Sequence, residues 1–413
     1  MFCEDVELEG VAKEVGTPFY IYNANEIDRR VQAFKEAVEG LNCHIGFAVK
    51  ANSNLAVLDR IFKNGCGADI VSGGELARAL KAGCHPGHVV FSGVGKSVEE
   101  MKFAIEQKIM MFQVESENEL EILNQVASSM GAKANVSLRI NPDVESKTHP
   151  YIGTGSSQNK FGISVKKAFE IYLRANEMKG INIVGIGCHI GSQLPSLEPL
   201  GQAIGQLCEL ALSLKEKNID LKYFDVGGGL PIDYGEESHA SLPNFSDYGA
   251  MLKNALKPIE HLKCKIVFEP GRVLVGPIGM LVTKVLYPKQ GESKKFVIVD
   301  AAMNDLLRPS LYQAHHPIMP LKEGSQEKEK VDVVGPVCES GDFFAKDRLI
   351  PKVEAGDLLG IGASGAYGFT MASTYNSRPT VAEVLVDGSQ YAVIRPRQQV
   401  AELFESETIP VFS

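Results

Sequence analysis

No apolar run in these 413 residues reaches the length of a membrane-spanning helix, which needs about 20 consecutive apolar residues. Positive charge is scarce too: 42 Lys and Arg against 51 Asp and Glu leave a net charge of −9. An acidic chain without a basic run is poorly matched to a phosphate backbone, so neither nucleic acid nor membrane is an expected partner. The stretch from Met1 to Gly10 lacks the basic-then-apolar form of an export signal, and the expected location is the cytoplasm. In that compartment the glycosylation patterns Asn135-Val-Ser137 and Asn244-Phe-Ser246 are idle. Cysteines stand apart at 3, 43, 66, 84, 188, 208, 264 and 338, with no CxxC spacing and no HxxxH partner. Reduced thiols are expected rather than disulfides, and no metal is expected. Internal repeats and low-complexity segments are also missing.

What remains is an ordinary globular composition, 44% hydrophobic and 23% charged, long enough for two or three domains. Thr17 to Tyr22 reads as a strand, and Asn25 to Glu39 as an amphipathic helix stopped by Gly40. Strand-like runs then fall near 44–49, 67–72, 88–92, 109–115, 134–140, 182–190, 222–227 and 265–269. Helix-like segments separate them, at 55–64, 75–82, 98–107, 117–130, 165–178, 201–217 and 248–262. Short apolar strands alternating with helices give parallel units buried on both faces. Eight of them match a (β/α)8 TIM barrel better than an open doubly wound sheet. Beyond Arg272 the rhythm changes to short β-type runs at 281–286, 295–299, 331–334, 358–361, 380–386 and 391–394. These predict a C-terminal, mostly antiparallel β domain, with a hairpin turn at Val386-Asp-Gly-Ser389 and a charged surface loop at 323–330.

Polar residues collect where the barrel strands end: Lys50; Asp69 and Ser72 to Glu75; Ser92-Gly93; Arg139 and Asn141; His189; Asp225 and Gly227-Gly228-Gly229; and Glu269-Pro-Gly-Arg272. Barrel active sites lie at that rim. Lys50 follows Phe47-Ala-Val and precedes a polar stretch, so it reads as the end of a buried strand with its amine in a cavity. Burial disfavours an ammonium and frees an amine to attack a carbonyl; the plain alternative is a lysine reaching into solvent. The three glycines permit a close backbone approach to an oxyanion, or make a tight turn. His189 is either a core histidine or a ring that stacks on a planar cofactor. Glu269 and Arg272 either pair with each other or face a ligand, the carboxylate toward a ring nitrogen and the guanidinium toward an anion. Cys338, flanked by polar residues, is an inert thiol or an acid–base group. Gly360-Ile-Gly-Ala-Ser-Gly365 spells GxGxxG, but Ala366-Tyr-Gly-Phe-Thr does not open a helix, so a dinucleotide is not expected.

Phe47 to Asn52, Gly67 to Glu75, Asn159 to Gly162, His189 to Gln193, Gly227–Gly229, Glu269–Arg272, Arg308 to Tyr312, Cys338-Glu-Ser340 and Gly365-Ala-Tyr367 follow in that order over nearly the whole chain. Together they resemble the fold type III pyridoxal-phosphate (PLP) decarboxylases, in the branch acting on a diamino dicarboxylate. The resemblance implies an alanine-racemase-like fold. Residues 25–275 would form the PLP-binding (β/α)8 barrel and 276–413 the C-terminal antiparallel β domain, with 1–24 supplying an N-terminal strand to the latter. It implies a cofactor, PLP, carried by Lys50 as a Schiff base, with Asp69 and Tyr367 beside it and His189 stacked on its ring. Ser192, Gly227, Gly228, Gly229, Gly271 and Arg272 would hold its phosphate, and Glu269 would keep its pyridine nitrogen protonated. Substrate would meet Arg272, Arg308, Tyr312, Glu339 and Tyr367, and Cys338 would donate the proton. Cys338 and Glu339 would enter from a neighbouring subunit, making a homodimer. Pro231, after the glycines, departs from the pattern. An ornithine or arginine decarboxylase, an amino-acid racemase and a non-catalytic PLP carrier are the rivals.

Overall fold

The computed structural model describes residues 1–145, 153–155, 159–235, 242–322 and 327–412. All eight expected barrel strands form: β1 (Cys43–Ala48), β2 (Gly67–Ile70), β3 (Val89–Phe91), β4 (Met111–Val114), β5 (Ala134–Asn141), β6 (Ile181–Gly187), β7 (Tyr223–Asp225) and β8 (Lys265–Phe268). Each pairs in parallel with the next, and β8 pairs with β1, so the sheet closes without an edge. Closure removes the unpaired backbone groups that an open sheet exposes. These strands and their helices make one unit, Asp28–Asp233 with His239–Leu274. Their near-continuous apolar character follows from burial on both faces: β2, β3, β4 and β8 from Ile266 onward are buried residue by residue.

The register decides what meets at the rim. Ala48 lies opposite Asp69, and Gly187 lies opposite both Arg139 and Asp225. The ends of β1 and β2 are thereby level with each other, and so are those of β5, β6 and β7. Seven of the eight expected strand ends are shorter in the structure, and two of them bear on the rim. β1 stops at Ala48, and Lys50 sits in a single 3-10 turn (Val49–Ala51). β4 stops at Val114, which frees Glu115 to turn into the barrel mouth.

Part of the polarity at strand ends serves the next helix. Asn54, Ser72 and Ser116 are N-caps whose side chains accept the N–H groups of Ala56, Glu75 and Glu119. Ser97 and Glu100 form a reciprocal capping box. Such caps satisfy amide donors that have no partner within a helix. Ser72 therefore belongs to helix initiation.

The second unit comprises Met1–Ile27, Tyr234–Ser238 and Val275–Ser413. Its main sheet runs in the order Phe343–Pro351, Lys328–Val334, Lys295–Val299, Gly279–Gln290, Phe19–Asn23, Ala382–Asp387, Gln390–Arg395. Two of the pairings, Lys295–Val299 with Lys328–Val334 and Phe19–Asn23 with Ala382–Asp387, are parallel. The remaining pairings are antiparallel, so the sheet is mixed and, as expected, mostly antiparallel. Phe19–Asn23 is held centrally because its buried tyrosines find acceptors: Tyr20 donates to the Asp305 carbonyl at 2.6 Å and Tyr22 to Glu383 at 2.8 Å. The Asp387–Ser389 turn forms with Gly388 at φ 63°. Of the loop expected at 323–330, residues 323–326 lie outside the described residues, and 328–330 instead begin a strand. Gly360–Gly365 runs from a strand into a turn with no α-helix after it. A Cβ at Gly365 would lie 1.9 Å from the Val275 carbonyl, which accounts for glycine there by packing.

Candidate active site

At the barrel rim, the Lys50 ammonium pairs with Asp69 at 3.3 Å; the lysine side chain is 38% exposed and the aspartate fully buried. The amine is thus partly open and anchored, where a cavity was expected. The other Asp69 oxygen, Oδ1, is buried without a hydrogen-bond partner.

His189 follows β6. Its ring nitrogen Nδ1 accepts the Gly228 N–H at 3.1 Å, which leaves the proton of the neutral ring on Nε2. Burial first, then the charges of Arg139 and Lys50, hold this imidazole well below the usual histidine range, so it is neutral. Its carbonyl accepts from Arg139 Nη2 at 3.3 Å and from Thr154 at 2.7 Å.

Gly227, Gly228 and Gly229 cannot carry side chains. A Cβ at 228 would lie 2.4 Å from the Glu269 carbonyl, one at 227 would lie 2.6 Å from that of Cys188, and one at 229 would lie 2.6 Å from that of Gly191. The N–H groups of Gly227 and Gly228 are committed to Asp225 and His189. What those two glycines offer an anion is the close approach of bare backbone. The following loop is clamped by Gln193, whose amide donates to the Ile232 carbonyl at 2.6 Å and accepts its N–H at 3.1 Å. Pro231 fits there because the clamp uses its neighbour.

Glu269 is 8% exposed, and Ser92 Oγ donates to its Oε1 at 3.2 Å. Burial, then the charges of Asp225 and Asp69, push Glu269 well above the carboxylate range, against Lys50 and Arg139. Burial, then Asp69, pushes Asp225 up to about 7, against the Gly227 N–H, the hydrogen bond with Glu269 and Arg139. Gly271 and Arg272 follow, both buried, with Arg272 opening a short helix to Val275. Ser192 is partly buried beside Gly191.

Beneath these groups runs a charge chain that the sequence does not announce. Arg139 binds Glu115 at 2.9 Å, Glu119 accepts the Glu115 N–H at 2.9 Å, and Lys96 binds Glu119 at 2.7 Å. All four side chains are at most 9% exposed. Two cations and two anions cancel, which is the condition for burying them. Arg139 could be found as a strand-end residue; Lys96, Glu115 and Glu119 carry no such signal.

The remaining candidates belong to the second unit. Arg308 is buried, with Nη1 donating to His316 Nε2 at 2.8 Å and its guanidinium 4.6 Å over the Tyr234 ring. His316 is fully buried and its Nδ1 faces the Gly362 carbonyl at 2.9 Å, so the proton lies on Nδ1 and Nε2 accepts. Neither His316 nor Tyr234 was a candidate by sequence. Cys338 is exposed; its N–H donates to Asn376 Oδ1 at 2.9 Å, and Glu339 Oε2 accepts the Tyr375 hydroxyl at 2.7 Å. Tyr375 and Asn376 hold the Cys338–Glu339 turn, and Ser310 ties the Arg308 helix to it through the Gly341 carbonyl at 2.6 Å. Tyr312 and Tyr367 are partly buried, Tyr367 at φ 56°.

A rim with an anchored primary amine, a neutral imidazole, a buried acid and a bare glycine run fits a phosphorylated aromatic aldehyde. The comparisons agree. A family model for the pyridoxal-dependent decarboxylases, describing their pyridoxal binding domain, matches residues 24–276. The chain belongs to the pyridoxal-dependent decarboxylases. It is 48% identical over 409 residues to a diaminopimelate decarboxylase of Vibrio cholerae, covering 99% of this chain and 97% of that one. To that of Aquifex aeolicus it is 45% identical over 406 residues, covering 98% and 95%. Its fold is similar to a crystal structure of diaminopimelate decarboxylase from Helicobacter pylori complexed with L-lysine, with TM-score 0.92, 44% identity, and 97% and 99% of the two chains covered.

Proposed function

We propose that this chain is a PLP-dependent carboxy-lyase that converts meso-2,6-diaminopimelate into L-lysine and carbon dioxide, the last step of lysine biosynthesis. The observation that carries the reading is the rim itself: Lys50, His189 and Glu269 held around a glycine run, in a chain similar over nearly its full length to diaminopimelate decarboxylases. Cofactor binding is assigned to residues 25–275, and 276–413 with the 1–24 segment to the β domain.

When bound, the cofactor supplies an electron-withdrawing ring that takes up the electron pair left by departing carbon dioxide. Everything else falls to the chain. Lys50 presents the amine that attaches the cofactor, and Asp69 orients it. His189, uncharged and fixed through Nδ1, offers a flat face. Glu269 faces the ring nitrogen. Ser192, Gly227 to Gly229, Gly271 and Arg272 receive the phosphate. Arg308 holds the distal carboxylate of the substrate with a planar fork, and Glu339 its distal ammonium, because groups taken from water need opposite charges. Arg272, Tyr312 and Tyr367 complete the substrate contacts, and Cys338 returns a proton to Cα, a contribution typically of about 10²–10⁴-fold. An ornithine or arginine decarboxylase has no distal carboxylate to bind and no use for the Arg308 fork.

The proposal includes a homodimer in which Cys338 and Glu339 serve the neighbouring site; the exposure of Cys338 supports it. A cytoplasmic location is also proposed; among the described residues no helix is long and apolar enough to cross a membrane.

The test is a substrate panel on purified protein with PLP added. Meso-diaminopimelate should yield lysine, with ornithine, arginine and lysine poor substrates, and borohydride should fix the cofactor on Lys50. Faster turnover of ornithine would overturn the substrate assignment, and an adduct on another lysine the cofactor assignment. Mixed Lys50→Ala and Cys338→Ala proteins should regain activity by subunit exchange; heterodimers without activity would show that each site is built within one chain.

A further inference from the structure

The short helix Arg308–Tyr312 ends at Gln313, whose φ of 54° turns the chain back, and the Ala314 N–H reaches the Arg308 carbonyl at 3.4 Å. That turn returns His316 to the side of Arg308. Both His316 ring nitrogens are then engaged: Nδ1 meets the Gly362 carbonyl at 2.9 Å, and Nε2 meets Arg308 Nη1 at 2.8 Å. Arginine offers only donors, so Nε2 must present its lone pair and the proton must lie on Nδ1. The carbonyl at Nδ1 enforces this tautomer, because the bond at one ring nitrogen sets the role of the other. A histidinium would present two donors and could not accept from Arg308.

The neighbours hold this arrangement in place. The His316 carbonyl accepts Arg348 Nη1 at 3.0 Å, and the Gly362 N–H donates to the Pro317 carbonyl at 2.9 Å. Gly362 thus grips both His316 and Pro317, and a Cβ on it would lie 3.0 Å from Pro317 Cγ. The middle glycine of Gly360–Gly365 thereby gains a task that the dinucleotide reading did not supply. His315 Nδ1 donates to the Tyr234 carbonyl at 2.8 Å. The Tyr234 ring lies 4.6 Å from the Arg308 guanidinium and edge-on to His316, at 5.2 Å and 72°. All of these residues belong to the second unit.

A carboxylate is the common partner of a buried guanidinium, but as a tether it would bring a negative charge that repels an incoming carboxylate. The imidazole lone pair and the tyrosine face direct the guanidinium and add no net charge. Fixing the side chain before a ligand arrives lowers the ordering cost of binding. We propose that His316, together with Tyr234, is a positioning residue: its Nδ1–H tautomer aims Arg308 so that the guanidinium selects ligands carrying a distal carboxylate. The selectivity rests on the reading of Arg308 given above; the tautomer and the tether do not.

Two measurements keep these apart. In the cofactor-free full chain with isotope-labelled histidine at neutral pH, NMR should show a neutral ring protonated at Nδ1 that disappears in the His316 variants. Binding of L-lysine and of cadaverine to the PLP-loaded chain then isolates the carboxylate, the one group by which the two ligands differ. His316→Asn can keep a donor for Gly362 but loses the acceptor for Arg308. It should bind lysine more weakly by about 10- to 100-fold and leave cadaverine unchanged. His316→Gln can place Oε1 near the position of Nε2 and should recover most of the lysine affinity. Tyr234→Leu removes the ring face, leaves His316 in place, and should also weaken lysine alone; it carries the comparison if His316→Asn does not fold. A His316 ring protonated at Nε2 would overturn the proposal even if diaminopimelate is decarboxylated. Equal losses for lysine and cadaverine, as a general loosening would give, or an unchanged lysine affinity, would overturn it too. If the ring carries its proton on Nδ1 but the parent binds lysine no better than cadaverine, the substrate reading fails and the selectivity role with it, while the tether stands.

Discussion

Replacing Gly228 by alanine tests the rim with one methyl group. The added Cβ would sit 2.4 Å from the Glu269 carbonyl oxygen and 3.2 Å from its carbon. Ordinary C···O contacts lie near 3.3 Å, so the two strand ends must separate by about 0.9 Å. They resist, because the Glu269 N–H is bonded to the Gly227 carbonyl at 2.9 Å. Overpacking of this kind typically costs about 1–3 kcal/mol, which a barrel of this size should survive. Function is more sensitive. The displaced backbone carries Glu269 and the Gly228 N–H that orients His189, and a misplacement near 1 Å costs on the order of 100-fold in rate. Gly205→Ala is the control. It lies within the helix Glu198–Glu216 with nothing within 4 Å of its added methyl, and should stabilise by about 0.5–1 kcal/mol. Equilibrium dialysis of PLP, kcat and urea unfolding on both variants separate the effects. Gly228→Ala should remain folded with PLP affinity and kcat sharply reduced, and Gly205→Ala should match the parent in PLP affinity and kcat. Gly228→Ala with unchanged PLP affinity and kcat would refute the account of the glycine run.

Arg308→Lys keeps the charge but loses the planar fork, the stacking on Tyr234 and the donor to His316 Nε2. Lost cation–π contact and a stranded buried acceptor together should cost about 2–4 kcal/mol of stability. KM for diaminopimelate should rise while the cofactor spectrum is unchanged; an unchanged KM would remove Arg308 from the substrate site. His44 is held down to about 4, chiefly by burial and then by His88. Between pH 6.5 and 4 the unfolded chain binds a proton that the folded chain refuses, so folding stability is lost as pH falls through that window, by at most about 3 kcal/mol. His44→Gln should flatten the dependence of the urea midpoint on pH between 4.5 and 7; an unaltered slope would show that His44 does not cause it.

The barrel was legible because its signals are local. Apolar runs such as Gly67–Ile70 and Met111–Val114 report burial on both faces, and Ser97 with Glu100 writes a helix start into four residues. Phe343–Pro351 went unread because Lys346, Asp347 and Arg348 interrupt its apolar pattern, and Asp347 departs from strand geometry at φ 50°. The helix Leu8–Val15 was hidden by the polar residues Glu9, Lys13 and Glu14 that interrupt its apolar pattern, while Leu8 and Val11 are buried. The parallel pairing of Phe19–Asn23 with Ala382–Asp387 spans more than 350 positions, and no local pattern encodes it.

The sequence by itself determined which residues could do chemistry: a lysine, a histidine, a glycine run and an acid at successive strand ends, since strand period and turn composition are properties of neighbours in the chain. Tertiary structure alone decided their states. Lys50 is tethered because register places Ala48 beside Asp69. His189 is neutral because Gly228, 39 residues away, donates to it within a buried site. Asp225 and Glu269 are both pushed upward because β7 and β8 are adjacent and both groups are out of water. Charge, tautomer and proton count depend on distance and dielectric, and those exist only once the barrel has closed.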